Sequence, residues 1–247
     1  MPVRAVSEEG TSFPQLRAFR RSLGAIVLIG ATTAQVGCWE GTTRDALATV
    51  LSVEGSATTS AENGDKPLPF LTGAHFGRNA LIQTLASSRV AIAFLPSILV
   101  QLDHDTRLEI MRISLTKDGN ETGEAMRGRS AAVRLLAGRM FVSHTWGQAN
   151  AAFTIATAQG DLFTGSNSLF CVESSQGKTR VTCVSGTVGF RPHEGGAEMR
   201  IPPGFFGEWS SQASSIAAAE TDARGQEDLQ EALEVERRLR GLLGKTR

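Results

Sequence analysis

The residues of this 247-residue chain that could do chemistry are four histidines, three cysteines and the carboxylates near them. His104 sits in Asp103-His104-Asp105-Thr106, a run of the residue types that ligate divalent ions. In an extended chain Asp103 and Asp105 point one way and His104 the other, which is the wrong spacing for a shared coordination shell. His75, His144 and His193 stand alone, with no H-E-x-x-H or C-x-x-C and no second Cys or His at ligand spacing. Ser143-His144 sets a hydroxyl beside an imidazole, but neighbours in a strand face apart and no G-x-S-x-G surrounds them. The stretch Gly73–Gly77 lacks the Lys-Ser/Thr that closes a phosphate loop. Two carboxylates can be chosen from 25 acids in many ways, so the sequence singles out no glycosidase pair. The expectation is no catalytic residue, no cofactor or cofactor-binding residue and no metal ligand: not an enzyme.

The cysteines point to cross-linking and anchoring instead. Two β-rich runs, Ser168–Glu173 and Thr179–Val184, flank a Ser175–Lys178 turn (Ser-Gln-Gly-Lys), a hairpin signal. With an odd loop, Leu169, Cys171, Val181 and Cys183 share one face and the two thiols come within disulfide reach across the ladder. An even loop puts the two cysteines on opposite faces. Upstream, Arg17, Arg20 and Arg21 precede an apolar run, Leu23–Gly30, and a small-residue zone ending at Val36-Gly37-Cys38. That is the order of an export signal, and the run is too short to span a bilayer, which needs roughly 20 residues. Gly37-Cys38 resembles the end of a bacterial lipobox, which implies lipidation of Cys38; plain cleavage near Ala34, with Cys38 a free thiol, is the alternative. Arg20-Arg21 also hints at twin-arginine export. Lipidation of Cys38 leaves an even pair for an oxidising compartment, so a Cys171–Cys183 disulfide is expected. The opposing reading is two reduced, buried cysteines in a cytosolic core.

Composition narrows the partners. The 25 basic and 25 acidic residues cancel, aromatics make up 6% and there is no Tyr, so neither a phosphate-neutralising stripe nor a set of base-stacking platforms is present. Nucleic acid is not an expected partner. Without residues 1–37, 21 basic residues face 23 acidic ones. A 41% hydrophobic chain of this length supports one domain with appendages. Trp39, Trp146 and Trp209 are expected in core or edge packing, with an exposed ligand shelf as the alternative.

These side chains must be positioned by strands. From Leu47 to Trp209, short Ile-, Val- and Leu-rich runs recur about every ten residues between Gly-marked corners, an all-β rhythm suited to a sandwich, barrel or short solenoid. The alternation in Arg107–Leu115 breaks near Met111-Arg112, which predicts a bulge. Lys117–Arg129 is charged, contains Gly and has no apolar period, so it predicts an exposed loop. After Trp209 the composition changes. Ser210–Ser215 reads as a linker, and Gln226–Leu243 as an amphipathic helix with Ala232, Val235, Leu239 and Leu242 on one stripe. That stripe is expected to dock on its own domain, with pairing to a partner as the alternative.

Several segments carry a family resemblance. Val181–Phe190 (VTCVSGTVGF) resembles the V-x-V-x-x-G-x-V-x-V segment of FecR-domain proteins, with Cys183 at a position usually Val. Phe153–Thr157 is similar to the family's F-x-V-x-T-P strand, with Ala158 in place of Pro, and Gly165-Ser166-Asn167 to its G-T-x-F turn, with Ser166 in place of Thr. Leu71–Gly73, Ile82–Thr84, Leu102–Ile110, Leu136–Gly138 and Pro203-Gly204 extend the resemblance over Leu47–Trp209. It implies a flattened, solenoid-like stack of β-hairpins and a role in periplasmic sensing, where some members relay receptor occupancy to a cytoplasmic sigma factor. That relay is not expected here, because no full membrane span or sigma-binding helix bundle is apparent and a helix follows Trp209.

The expected organisation is a signal peptide at 1–37, a tether at 38–46, a FecR-like β-domain at 47–209, and a linker with a C-terminal helix at 210–247. The expected function is a non-catalytic envelope protein in the periplasm or at the cell surface. It would bind an envelope protein or cell-wall component and be held to the membrane by an N-terminal lipid. The alternative is an exported hydrolase of cell-wall polysaccharide or peptide.

Overall fold

The computed structural model describes residues 42–61, 67–117, 128–145, 151–164, 167–193, 195–210 and 212–245. In chain order the strands are β1 (Thr42–Asp45), β2 (Ala48–Glu54), β3 (Ala57–Ala61), β4 (Leu68–Pro69), β5 (His75–Phe76), β6 (Ala80–Thr84), β7 (Arg89–Leu95), β8 (Ile98–Leu102) and β9 (Arg107–Lys117). There follow β10 (Gly128–His144), β11 (Ala151–Ala156), β12 (Gly160–Thr164), β13 (Ser168–Ser175), β14 (Lys178–Ser185), β15 (Val188–Pro192), β16 (Met199–Ile201), β17 (Phe205–Ser210) and β18 (Ser214–Ala218). A 3-10 turn, Ala219–Thr221, leads into the helix α1 (Ala223–Lys245). The all-β class with a C-terminal helix is as expected. No helix among the described residues is long and apolar enough to cross a membrane.

The strands form two sheets. In the first, β4, β3, β6, β9, β10, β11, β12, β15 and β16 lie side by side, with β1 next to β6 along β9. In the second the order is β5, β2, β7, β8, β10, β13, β14, β17, β18. Hairpins alternate between them: β7–β8 in the second, β9–β10 and β11–β12 in the first, β13–β14 in the second, β15–β16 in the first and β17–β18 in the second. This is the stack of hairpins that the resemblance implies.

The long strand β10 belongs to both sheets. Its first half pairs with β9 and, in parallel, with β11, and its second half pairs with β8 and β13. The change falls at Gly138, which has φ +93°, and a Cβ there would strike Thr106. Glycine is required at this crossing because it has both the left-handed freedom and no side chain. Thr106 fastens the bend, its hydroxyl accepting the Arg139 N–H at 3.0 Å.

Side-chain alternation yields two apolar layers. Inward residues of both sheets, such as Val50, Ile92, Leu108, Val133, Phe170 and Phe190, form the core between them. On the outer face of the second sheet, Leu51, Leu99, Phe141, Leu169 and Cys171 pack under Ala232, Val235 and Leu239 of α1. Buried on both faces, β13 therefore has nearly every side chain covered, whereas β12 alternates buried and half-buried. The helix stripe docks on its own domain, as expected. The predicted bulge is also present, since Met111 is passed over where Ala132 pairs with Arg112 and Val133 with Ile110.

The Cys171–Cys183 expectation is corrected. Ser175 pairs with Lys178 around a two-residue loop, Gln176-Gly177, with Gly177 at φ +79°. The loop is even, so Thr182 lies opposite Cys171, and Phe170 opposite Cys183. Cys171 and Leu169 face the helix, Cys183 and Val181 face the core between the sheets, and both thiols are free and buried. A period of two makes that outcome unavoidable once the loop is even.

The element boundaries also move. Part of the expected linker is β18, paired regularly with β17; its sequence, Ser-Ser-Ile-Ala-Ala, is too small and polar to announce a strand. Part of the expected tether is β1, paired with β9. Helix α1 begins three residues before Gln226 and ends two after Leu243. Of the expected loop Lys117–Arg129, residues 118–127 lie outside the described residues. So do the signal segment 1–37 with Cys38, and Trp39 and Trp146.

Candidate functional site

The structure separates the residues whose types suggested catalysis. Ser143 lies on the outer face of the second sheet, where its hydroxyl donates to Glu236 Oε1 at 3.3 Å. His144 faces inward, buried, with Nδ1 3.0 Å from Thr164 Oγ1. His104 is exposed, with Nδ1 3.5 Å from Asp103 Oδ1, but the buried Asp103 carboxylate is already engaged by Arg89 Nε at 3.2 Å and lies 3.6 Å from Arg139 Nη1. Asp105 is exposed in the turn between β8 and β9. His75 meets Thr49 Oγ1 at 3.1 Å, and His193 meets Asp161 Oδ1 at 3.3 Å. Among the described residues no three His, Cys, Asp or Glu side chains gather as a metal site would require.

What the fold does bring together is a charge cluster beneath α1. Arg139 begins the second-sheet half of β10 and points at the helix, only 8% exposed. Its Nη2 donates to Asp228 Oδ1 and its Nη1 to Glu231 Oε2, both at 2.6 Å. Its Nε donates to Cys171 Sγ at 3.2 Å, and the guanidinium lies 4.5 Å from the centre of the Phe141 ring. Asp228 is buried and also accepts the Thr182 hydroxyl at 2.6 Å. Two more arginines flank it: Arg224 Nε at 3.5 Å from Oδ1 and Arg180 Nε at 3.8 Å from Oδ2. Arg180 in turn pairs with Glu208 at 3.3 Å and with Asp222, and lies over the Phe206 ring at 3.9 Å.

The electrostatics follow from burial and pairing. Burial disfavours the Arg139 cation, but Cys171, Asp228 and Glu231 outweigh it and hold its pKa above the ordinary arginine value. Burial likewise pushes the Cys171 thiol up to about 12 against the pull of Arg139, and the Cys183 thiol up to about 11. Burial would raise Asp222, but hydrogen bonds from Arg180 and the Gly225 N–H hold it below its usual range. Cys171 is thus a neutral thiol rather than a nucleophile. The cluster joins helix to sheet by charge-assisted hydrogen bonds and has no acid–base pair poised on an open surface.

A cleft of about 530 Å³ opens beside the β17–β18 turn, lined by Gln159, His193, Met199, Trp209, Gln212 and Ser214 among others. Trp209 is a core residue, stacked on Phe190 with ring centres 3.8 Å apart, rather than an exposed shelf. Sequence reading missed the Arg139 cluster, because its partners lie 89 and 92 positions away. The available signal was acidic Asp228 and Glu231 at helical spacing beside the apolar stripe.

No curated protein matches the chain. Among the solved structures that resemble it are two crystal structures of a candidate anti-sigma factor from Parabacteroides distasonis. They are 17% and 16% identical, each with a TM-score of 0.40, over 56% of this chain and 57% of theirs. The chain thus spans little more than half the length of those structures. Residues 80–189 match the family described as FecR protein, a span that runs from β6 into β15 and includes β10, Arg139 and both buried cysteines.

Proposed function

We propose that this chain is an exported, non-catalytic envelope protein whose β-sandwich serves as a binding and signalling module in the periplasm or at the cell surface. The observation that carries this reading is the FecR match over residues 80–189. The export-like N-terminus ending at Gly37-Cys38 supports the location, with Cys38 as the lipid-bearing residue. Its partner would be an envelope protein or cell-wall component. Ser143 and His144 on opposite faces of β10, and an Asp103 carboxylate held by arginines, weigh against the hydrolase alternative.

Fractionation of producing cells with intact-mass analysis tests the location. The expected result is a membrane-associated form that has lost residues 1–37 and gained acyl mass. An unprocessed chain in the cytosol overturns it. Binding is tested by passing the mature protein over peptidoglycan and over solubilised envelope proteins, and retention by neither removes that part.

A further inference from the structure

The outer strands of the two sheets differ in how well they resist adding another strand. β4 is two residues long and ends at Pro69, and β5 is also two residues long. β16 has three residues, carries an exposed Arg200 and runs into Pro202-Pro203. β1 carries Arg44 and Asp45. Shortness, proline and charge each block edge pairing. β18 has none of these devices. It is five residues long, Ser-Ser-Ile-Ala-Ala, uncharged, in unbroken register with β17.

The direction of its backbone groups follows from the bonds at either end. Ser210 N–H donates to Ala213 O at 2.9 Å and Ala219 N–H to Gly204 O at 2.8 Å. Alternation along an antiparallel ladder then turns the Ser215 and Ala217 amides toward β17, and the N–H and C=O of Ser214 and Ile216 outward. The same edge exposes apolar surface. Ile216 is 39% and Phe205 38% exposed, on one face, with Ile216 opposite Gly207 and Phe205 two positions from it.

We propose that β18 is a self-association edge, at which two copies of the chain pair antiparallel about a dyad at Ser215. Ser214 of each copy then lies opposite Ile216 of the other, and the outward N–H and C=O groups form four main-chain hydrogen bonds. A second copy suits this edge for three reasons. The strand is uncharged, so self-pairing brings no like charges together. Its small residues permit close approach, and the two Ser215 hydroxyls meet across the dyad while the two Ile216 side chains pack diagonally, extending the Phe205 surface. The other outer strands are blunted, so assembly closes at two copies instead of running on as a fibre. So short a contact belongs to the small, transient class of interfaces, and the dimer is concentration-dependent.

Sedimentation velocity on the full chain over a wide concentration range should show its mass rising from monomer toward dimer. Ile216→Pro removes an outward N–H while leaving the bonds to β17, and should stay monomeric with unchanged strand content. Ser215→Cys, oxidised, should give a covalent dimer in excess of the parent chain. Gln212→Cys, about 20 Å from its own copy in this register by the usual strand rise, should not. A chain that stays monomeric throughout, or a dimer that survives Ile216→Pro without cross-linking at Ser215→Cys, overturns the proposal. Cross-linking of Ser215→Cys to a different protein in cells, with no self-association, assigns the edge to a foreign strand and also overturns it. Should Ile216→Pro fail to fold, the cross-linking pair decides alone.

Discussion

Asp228 is the residue on which most of the charge beneath α1 converges, and removing it leaves Arg139 buried with fewer anions. Breaking a buried pair from one side costs about 3–5 kcal/mol. Asp228→Ala should therefore lower stability in urea by an amount of that order, and Asp228→Asn, which keeps an acceptor for Thr182, by less. A loss within experimental error would mean that the helix does not dock through Arg139. The thiols make a second test. A native sample should show Cys171 and Cys183 unreactive to alkylation, and both should react on unfolding; a cross-linked peptide would restore the disulfide. Their pH dependence has a definite sign. The Cys171 thiol titrates near 9.0 when unperturbed and near 12 in the folded chain, so above pH 9 the unfolded chain releases a proton that the folded one keeps. Stability is then intact below about pH 9 and falls as pH rises, by up to about 1.4 kcal/mol per unit for each raised thiol, and Cys171→Ala should remove its share and leave that of Cys183, whose folded value is about 11. At this scale sequence reading separated Ser143 from His144 correctly, because strand alternation is local. It did not pair Arg139 with Asp228, because nothing local records which sheet face a distant helix will cover.

Helix α1 and the hairpin β13–β14 show what the elements themselves made legible. The stripe of Ala232, Val235, Leu239 and Leu242 announced the helix and its buried face, and strand after strand was visible in the apolar runs. Loop parity was not. Only one residue separates an odd turn from an even one, and that residue decides whether Cys171 faces the core between the sheets or the helix. β18 escaped for another reason: an edge strand needs only one neighbour, so its sequence can be small and polar. The core between the sheets contains no residue of α1, whereas the outer cluster does. Deleting residues 223–247 should thus leave strand content by circular dichroism while lowering the melting temperature. It should also add binding of a hydrophobic dye at the uncovered Leu99, Phe141 and Leu169. Loss of the strand signal would make α1 part of the folding unit.

At the scale of the whole molecule, β10 is the strand that the two sheets share among the described residues, and Gly138 is the point at which it passes from one to the other. An alanine there meets both an unfavourable φ and the Thr106 side chain. Gly138→Ala should accordingly cost more than the roughly 1 kcal/mol typical of strained glycine sites, and a urea melt will read it. A strand hydrogen-bonded on both sides in both layers also has consequences for amide exchange with solvent. Outer strands can fray independently, each at its own low free energy. The amides of Ala131 and Val133 lie between two neighbouring strands in the first sheet, those of Met140 and Val142 between two in the second, and the one strand ties the opening of either layer to the other. These amides should exchange together, at one slow rate that reports global opening, even though they lie in different sheets.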